Sequence, residues 1–498
     1  MGVAGTPISC GLLRLLCYCF MPKKEAIGNQ TQVMIMRKKM HTSLKHVAWT
    51  LALLLVSVAG QAQFLRTSYF MDGAGKLQLN PANLPSRGYV NVPALGMFNA
   101  SAYTNSLGTQ DFIDMFDAGD DFWDSPSFNK NLKDMNKASI SLNTDIISFG
   151  FYRKNAFWSF NIGLRTDVEG AFPRGLFDFL RDMPGDDLTD WNNQHFQFSE
   201  QELAVNAYVE VGLGYARPIG DRLTVGGKFN FLLGAGNLNL QINNINISSN
   251  NLYDAGGYLN PDASAEINID ARAEGNVEGL DLISEDGYVD DVEYNNFGIS
   301  GYGAGIDLGA TYRLLDNLTL SAAVLDLGFI KWNKSSSNVI QTNADDLNGH
   351  YNKDNMNEFI DRVSGGDVID LDLLQMQEDG EKKARTTRLP TTLVLGGEYS
   401  FFNDKLSAGI LSTTRWGQVN TLSELTFSAN FRPARALNLA LSYSMLQTAG
   451  KSFGFGIKLG PLMVGTDYMY LGENSRSVNA YLGLSFSMGK SRKNAWGK

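Results

Sequence analysis

The last hundred residues of the chain, Leu389 to Met488, alternate at a period of two. Leu393, Leu395, Gly397 and Tyr399 interleave with Thr392, Val394, Gly396 and Glu398. Leu425, Phe427, Ala429 and Phe431 interleave with Thr426, Ser428, Asn430 and Arg432. Successive side chains of a strand point to opposite faces, so each run carries one apolar face and one polar or small face. Repeated about every ten residues between turns, such segments are the signature of a transmembrane β-barrel. A soluble antiparallel sandwich also alternates, so the gaps must separate the two readings. Strand candidates fall at 89–103, 138–152, 156–166, 203–217, 222–236, 298–313, 317–329, 389–401, 404–415, 421–432, 436–447, 452–460, 461–471 and 477–488. The gaps 104–137, 167–202, 237–297 and 330–388 are long. Those between them are tight: 153–155, 218–221, 314–317 and 402–403. A barrel with large external loops and tight turns on the other side sorts its gaps in this way, and a sandwich has no reason to. The expected fold is all-β: a transmembrane antiparallel barrel of about fourteen strands with long extracellular loops.

No segment after residue 62 approaches the roughly 20 apolar residues that a spanning helix needs. Ahead of it, Arg37-Lys38-Lys39, Lys45 and His46 precede the apolar run Val47 to Ala59, and Gly60-Gln61-Ala62 offers small residues for a cut. This pattern is a secretory signal peptide, with cleavage expected between Ala62 and Gln63 and an outer-membrane destination. The expected division is 1–62 upstream extension and signal peptide, 63–88 a non-strand N-terminal segment, 89–488 the barrel and 489–498 a basic tail. All three cysteines, Cys10, Cys17 and Cys19, precede the cut. The mature chain therefore offers no disulfide scaffold, thiol nucleophile or cysteine metal site. The whole chain carries a net charge of −10. Residues 1–62 hold seven Lys/Arg and one acidic residue, which leaves −16 for the remainder. An acidic chain without a basic patch is a poor nucleic-acid binder.

Nothing in the chain assigns an enzyme. His195 and His350 have no partner spaced for a metal pair, there is no Gly-x-Ser-x-Gly elbow, and Gly303-Ala304-Gly305 meets Leu308 where a dinucleotide loop has glycine. No metal or cofactor is expected. The acidic run Asp281 to Glu293 lacks the spacing of a calcium loop and reads as a solvated loop. Segments 172–183 and 355–376 have helix-like spacing, the first either a short helix over the barrel mouth or packed loop. With the apolar faces turned to lipid, the opposite faces present Arg165, Lys228, Asp307, Asp326, Glu398, Arg432, Lys458 and Asp467. Ionisable residues at membrane depth belong inside, where these eight either line a path or pair across a filled lumen. Tyr152, Trp158, Tyr215, Tyr312, Trp332, Tyr399, Trp416, Tyr468 and Tyr470 suit interfacial girdles.

At Asn80-Pro81-Ala82, just before the first strand, the chain resembles the long-chain fatty-acid transporter superfamily of outer-membrane barrels. The wider run from Arg66-Thr67-Ser68-Tyr69-Phe70 through Arg87-Gly88-Tyr89-Val90-Asn91-Val92-Pro93, with Leu325-Asp326-Leu327-Gly328-Phe329-Ile330-Lys331-Trp332, is similar to an uncharacterised family of Bacteroidota outer-membrane barrels. The resemblance implies that residues 63–88 plug the barrel, with Asn80, Pro81 and Ala82 as the plug motif, and that hydrophobic substrates leave sideways through the wall. The expected function is passive transport or binding of a small hydrophobic molecule by a monomeric barrel in contact with outer-membrane lipid. The alternative, from secretion-system relatives in the same superfamily, is a docking barrel for a surface or protein-secretion assembly.

Overall fold

The computed structural model describes residues 65–118, 126–182, 188–254, 256–285, 287–342, 349–364, 374–380, 382–434, 436–447, 452–469 and 474–489. The signal peptide, its cleavage site and residues 490–498 lie outside the described residues. From its start the wall runs through β1 (Gly88–Asn91) with β2 (Phe98–Thr104), then β3 (Met135–Arg153), β4 (Ala156–Pro173), β5 (His195–Ile219) and β6 (Leu223–Asn250). Next in the chain are β7 (Ser264–Asn276) and the hairpin β8 (Leu280–Glu285) and β9 (Tyr288–Tyr294), outside the wall. The wall resumes with β10 (Gly301–Leu315) and β11 (Leu318–Trp332). The short strands β12 (Ser337–Thr342), β13 (Gly349–Asn352), β14 (Met376–Glu378) and β15 (Thr386–Arg388) follow. The last wall strands are β16 (Thr391–Phe401), β17 (Leu406–Trp416), β18 (Thr421–Ala434), β19 (Leu437–Leu446), β20 (Ser452–Leu459), β21 (Leu462–Thr466) and β22 (Ser477–Met488). Every neighbouring pair is antiparallel, and β22 pairs with β1 and β2, which closes a fourteen-stranded barrel. No described helix is long and apolar enough to cross a membrane.

The outward face is a belt of exposed apolar side chains that includes Leu213, Phe229, Leu308, Leu320, Leu327, Leu395, Ile410, Phe427, Leu441, Phe453 and Phe486. In water such a surface would be a liability; in lipid it is the required solvent-facing face. Six tight turns close one end of the barrel, and Gly88 and Met488 lie at that end too. Gly220 and Gly460 take left-handed φ of 62° and 59° in two of these turns, a conformation that costs glycine nothing. The opposite end carries the long connections.

The wall is interrupted in its first strand. Asn91 pairs with Ser485 and Phe98 with Leu482, so residues 92–97 bulge out of register. Val92 donates to Leu484 O and Ala94 to Ile146 O, which keeps the excursion tied on both sides. A second irregularity lies between β10 and β11, between Ile306 and Leu308, where Asp326 adopts a φ of 58°. The extra residue of a bulge reverses the facing of everything beyond it. Leu320 faces lipid before the bulge, Leu327 and Phe329 after it, and Trp332 is therefore carried inside.

That reversal corrects one girdle assignment, and the plug corrects two more. Trp332 is 0% exposed inside the barrel, Tyr152 donates to Pro85 O of the plug, and Tyr468 accepts from Arg66. Tyr215, Tyr312, Tyr399 and Trp416 are exposed on the outer face, and Trp158 stacks edge-to-face on Tyr215 at 4.8 Å. Tyr470 lies outside the described residues.

The long gaps are more ordered than expected. β5 and β6 continue past the membrane belt and pair up to His195 and Ser248. β7 pairs with the far half of β6, β12 and β13 with β7, and β14 with β12. Helices α1 (Arg174–Asp182) and α2 (Met356–Ser364) cover this sheet. Leu176, Phe179, Trp191, Ile245, Ile267 and Phe359 form part of its core. Segment 172–183 is thus helical over 174–182, and 355–376 over 356–364. Residues 237–250, read as loop, are strand because Ile242, Ile245 and Ile247 alternate into this second core. The acidic segment 281–293 forms most of the hairpin β8–β9.

Candidate functional site: a plugged lumen

Residues 65–87 run inside the barrel. Arg66 is 1% exposed. Its backbone N–H and that of Thr67 donate to the Asp467 carboxylate at 3.2 and 2.7 Å, and its guanidinium donates to the Tyr468 hydroxyl. Thr67 Oγ1 lies 2.6 Å from Ser442 Oγ. A buried charge is costly unless paired and hydrogen-bonded, and here Asp467 and Tyr468 supply the partners. Leu65, Tyr69, Phe70, Met71 and Leu79 pack against Val394, Leu411, Ala440, Met463 and Tyr481 of the wall. Tyr69 OH donates to Ser321 Oγ at 2.9 Å. At Gly409 a Cβ would overlap the Phe70 ring, so the bare backbone there is what lets the plug seat.

Asn80 shows why an Asn-Pro-Ala sequence suits this place. Its side-chain oxygen accepts from Ala82 N at 2.8 Å, an Asx-type turn. Its Nδ2 donates to Ala310 O and Ala322 O at 3.3 and 3.4 Å, tying the plug to β10 and β11. Pro81 has no N–H to satisfy and rests on the wall, where a Cβ on Gly226 would sit 2.5 Å from Pro81 O. Ala82 is buried. Asp72 completes the anchor: its carboxylate accepts from Ser86 N at 2.8 Å and from the Ser86 hydroxyl, and Lys458 Nζ donates to its main-chain oxygen. Burial pushes the Asp72 carboxyl up, but Lys76, Lys458 and the Ser86 bonds outweigh it and hold it below its usual 3.8.

Four of the eight sequence-selected ionisable residues meet in one ladder around the inner wall. Arg165 Nη2 lies 3.1 Å from both Asp145 and Glu210, and Lys228 Nζ lies 2.6 Å from Glu210 and 3.8 Å from Asp307. Asn161 donates to Glu210 at 2.6 Å, Asn230 to Asp307 at 3.1 Å, and Asp326 N to Asp307 at 2.8 Å. The ladder crosses six consecutive wall strands, β3 to β6, β10 and β11. Elsewhere Arg432 pairs with Glu398 and donates to Ser407 Oγ at 2.6 Å. Lys458 and Asp467 hold the plug. Above the ladder Tyr208, Leu232, Ile330, Trp332 and Leu389 form an apolar cluster. Trp332 Nε1 donates to Thr387 Oγ1 at 2.8 Å.

Sequence reasoning missed Arg66, Asp145, Asp167, Glu169, Glu210, Arg415 and Asn420. Asp167 and Glu169 share the parity of Arg165 on β4 and would have been found had that strand not been ended at residue 166. Glu210 stands between Val209 and Val211 on the inward phase of β5. Arg66 and Asn420, in turns, carry no periodic signal.

A cavity of about 30 Å³ lies between the plug and the wall near the tight-turn end. Gly75, Met97, Met463 and Gly483 line it together with Ser86, Arg87 and Lys458. Met97 belongs to the wall excursion, and its sulfur stands 2.7 Å from where a Cβ on Gly483 would be.

A family model described as a family of unknown function, DUF5723, matches residues 81–467. No curated protein matches the chain. Among solved structures, the toluene transporter TbuX of Ralstonia pickettii is similar at 9% identity, with 84% of this chain and 94% of that one covered and a TM-score of 0.38. The toluene transporter TodX of P. putida follows at 12% identity, 84% and 95% coverage and a TM-score of 0.37. A Pseudomonas aeruginosa FadL homologue matches at 11% identity, 84% and 92% coverage and a TM-score of 0.35.

Proposed function

The chain belongs to the DUF5723 family of unknown function, a membership that brings no activity with it, and from the geometry we propose an outer-membrane barrel that passes a small hydrophobic molecule beside a movable plug. In this reading residues 1–62 are removed on export, residues 63–88 are the plug and residues 89–488 the monomeric barrel. The observation that carries it is the seam between plug and wall. There the only break in the first strand, residues 92–97, borders Gly75, Met97, Met463 and Gly483 and the small cavity beside them. Passage along this seam requires the plug to shift, and the Met97 and Met463 side chains that border it offer an apolar solute a surface it can slide against. Met97 is unbranched and adaptable, a side chain that can swing from a gap at little cost. Deleting residues 65–87 in a barrel that also carries Arg415→Ala, which frees the β17–β18 turn from β4, should raise entry of a hydrophobic fluorescent dye into proteoliposomes while the barrel keeps its heat-shifted gel band. Unchanged dye entry in a correctly folded deletion would remove the transport reading.

One observation favours a docking role as a second reading. The loop end carries a folded module with its own core and exposed Tyr258 and Phe297, more structure than a passive loop needs. Photo-cross-linkers placed on α1 and on β8–β9 should then recover one reproducible protein partner from intact cells; scattered or lipid-only adducts would discard it.

A further inference from the structure

The lumen is closed a second time, at the loop end, by a contact that crosses it. Arg415, at the end of β17, places Nη2 2.8 Å from Asp167 Oδ1 and Nη1 3.5 Å from Glu169 Oε1 on β4. The turn between β17 and β18 follows at residues 417–420. Val419 N and Asn420 N donate to Glu169 Oε2 at 2.8 and 2.9 Å. Asn420 Nδ2 then donates to Ala138 O at 2.7 Å and to Ser139 Oγ at 3.0 Å, on β3. Asp167 is itself oriented by Ser141 Oγ at 2.9 Å. Counting around the wall, β4 is the third strand and β18 the tenth of fourteen, so these partners start from opposite sides of the barrel. Gly417 permits the approach, because a Cβ there would overlap the Glu169 carboxylate.

We infer that the β17–β18 turn is a latch that seals the loop-side mouth, in series with the plug and independent of it. Arg415, Asp167 and Glu169 are almost fully buried, so the contact excludes water as well as bridging the walls. It is made of polar bonds between strand ends rather than of interdigitated apolar side chains, so a small displacement breaks it completely. The seat of the latch is also mechanically tied to the outer module. Glu169 lies four residues before Pro173, where β4 passes into α1, and α1 buries Leu176 and Phe179 in the module's core. Whatever moves that module moves the carboxylates that Arg415 and the turn hold.

The inference rests on the lumen being a route, as proposed above, but its test does not require any solute to be carried. The mature chain has no cysteine after Cys19, so Thr413→Cys gives a single reporter at a buried inward position on β17, just below Arg415. With the full plug in place, a bulky membrane-impermeant maleimide added from the loop side should react slowly. In Arg415→Ala, and in the pair Asp167→Asn with Glu169→Gln, labelling should quicken at least about tenfold, as expected when a minor open state gains population. The charge exchange Arg415→Asp with Asp167→Arg should restore slow labelling. An unchanged rate in Arg415→Ala overturns the latch. So does equal acceleration at a second reporter, Ala82→Cys in the plug, which would show general loosening. If dye entry fails through the plug-deleted barrel that also carries Arg415→Ala, while Arg415→Ala still speeds labelling, the transport reading falls and the latch stands.

Discussion

Replacing Lys228 with methionine should cost the barrel about 3–5 kcal/mol, the usual penalty for removing one partner from a buried ionic group. The ladder explains the size. Lys228 is shared by Glu210 and Asp307, which lie 2.6 and 3.8 Å away. Without it, Arg165 is the one remaining cation of a row that also holds Asp145, Glu210, Asp307 and Asp326. Those carboxylates would be left inside a wall where water cannot replace the ammonium. Urea titration of refolded barrel in lipid, read by the heat-shifted gel band, measures the loss. Adding Glu210→Gln to Lys228→Met should recover much of it, since the two residues act as one unit and their effects do not add. If Lys228→Met unfolds at the wild-type urea concentration, the ladder is not holding the wall.

A valine at Gly309 should lift the plug without altering any plug residue. A Cβ there overlaps the Asn80 side chain and comes within 2.9 Å of Pro81 Cδ. The contact is with the tight Asn-Pro-Ala turn rather than a flexible side-chain end, so the strain cannot be relieved locally. Overpacking of this kind costs about 1–3 kcal/mol, or roughly 5- to 150-fold in the docked population. Ala82→Cys, buried beside the same turn, reports it. Labelling from the tight-turn side should rise by about that factor in Gly309→Val, and to a lesser degree in Gly309→Ala, whose Cβ alone already overlaps the Asn80 side chain. Equal labelling in Gly309→Val and the parent would mean that the turn does not bear on β10.

The barrel was legible in the sequence because lipid imposes a strict rule. Every wall strand must present one apolar face, and the period of two survives wherever the wall is regular. It misled wherever the wall is not. Trp332 looked like a girdle residue because nothing local marks the bulge at Asp326 that turns it inward. Tyr468 and Tyr152 looked alike for the same purpose, but their partners are Arg66 and Pro85 in the plug, which no periodicity links to them. The far halves of β5 and β6 resemble loop in the sequence because their polar faces are long and hydrophilic, with Gln197, Glu200 and Glu202 on β5 and Asn239, Asn244 and Asn246 on β6. Phe198 of β5 and Ile242, Ile245 and Ile247 of β6 point into a core completed by helices and strands that lie far away in sequence. The eight inward ionisable residues could be selected by facing alone, whereas which of them share a ladder depends on strand neighbours and register. The latch escaped altogether, since Arg415 and Glu169 stand 246 residues apart.

The anchoring of the plug also fixes an order of events during assembly. Arg66 and Thr67 depend on Asp467, about four hundred residues later in the chain, and the wall itself closes only when β22 meets β1 and β2. The plug, made before any wall strand, is therefore among the last segments to find its place. Loop closure over so many residues adds little to the equilibrium cost, because that cost grows only with the logarithm of length. The kinetic consequence is heavier: contacts this distant make folding slow. Through that interval the apolar residues Leu65, Tyr69, Phe70 and Met71 have no wall to bury against.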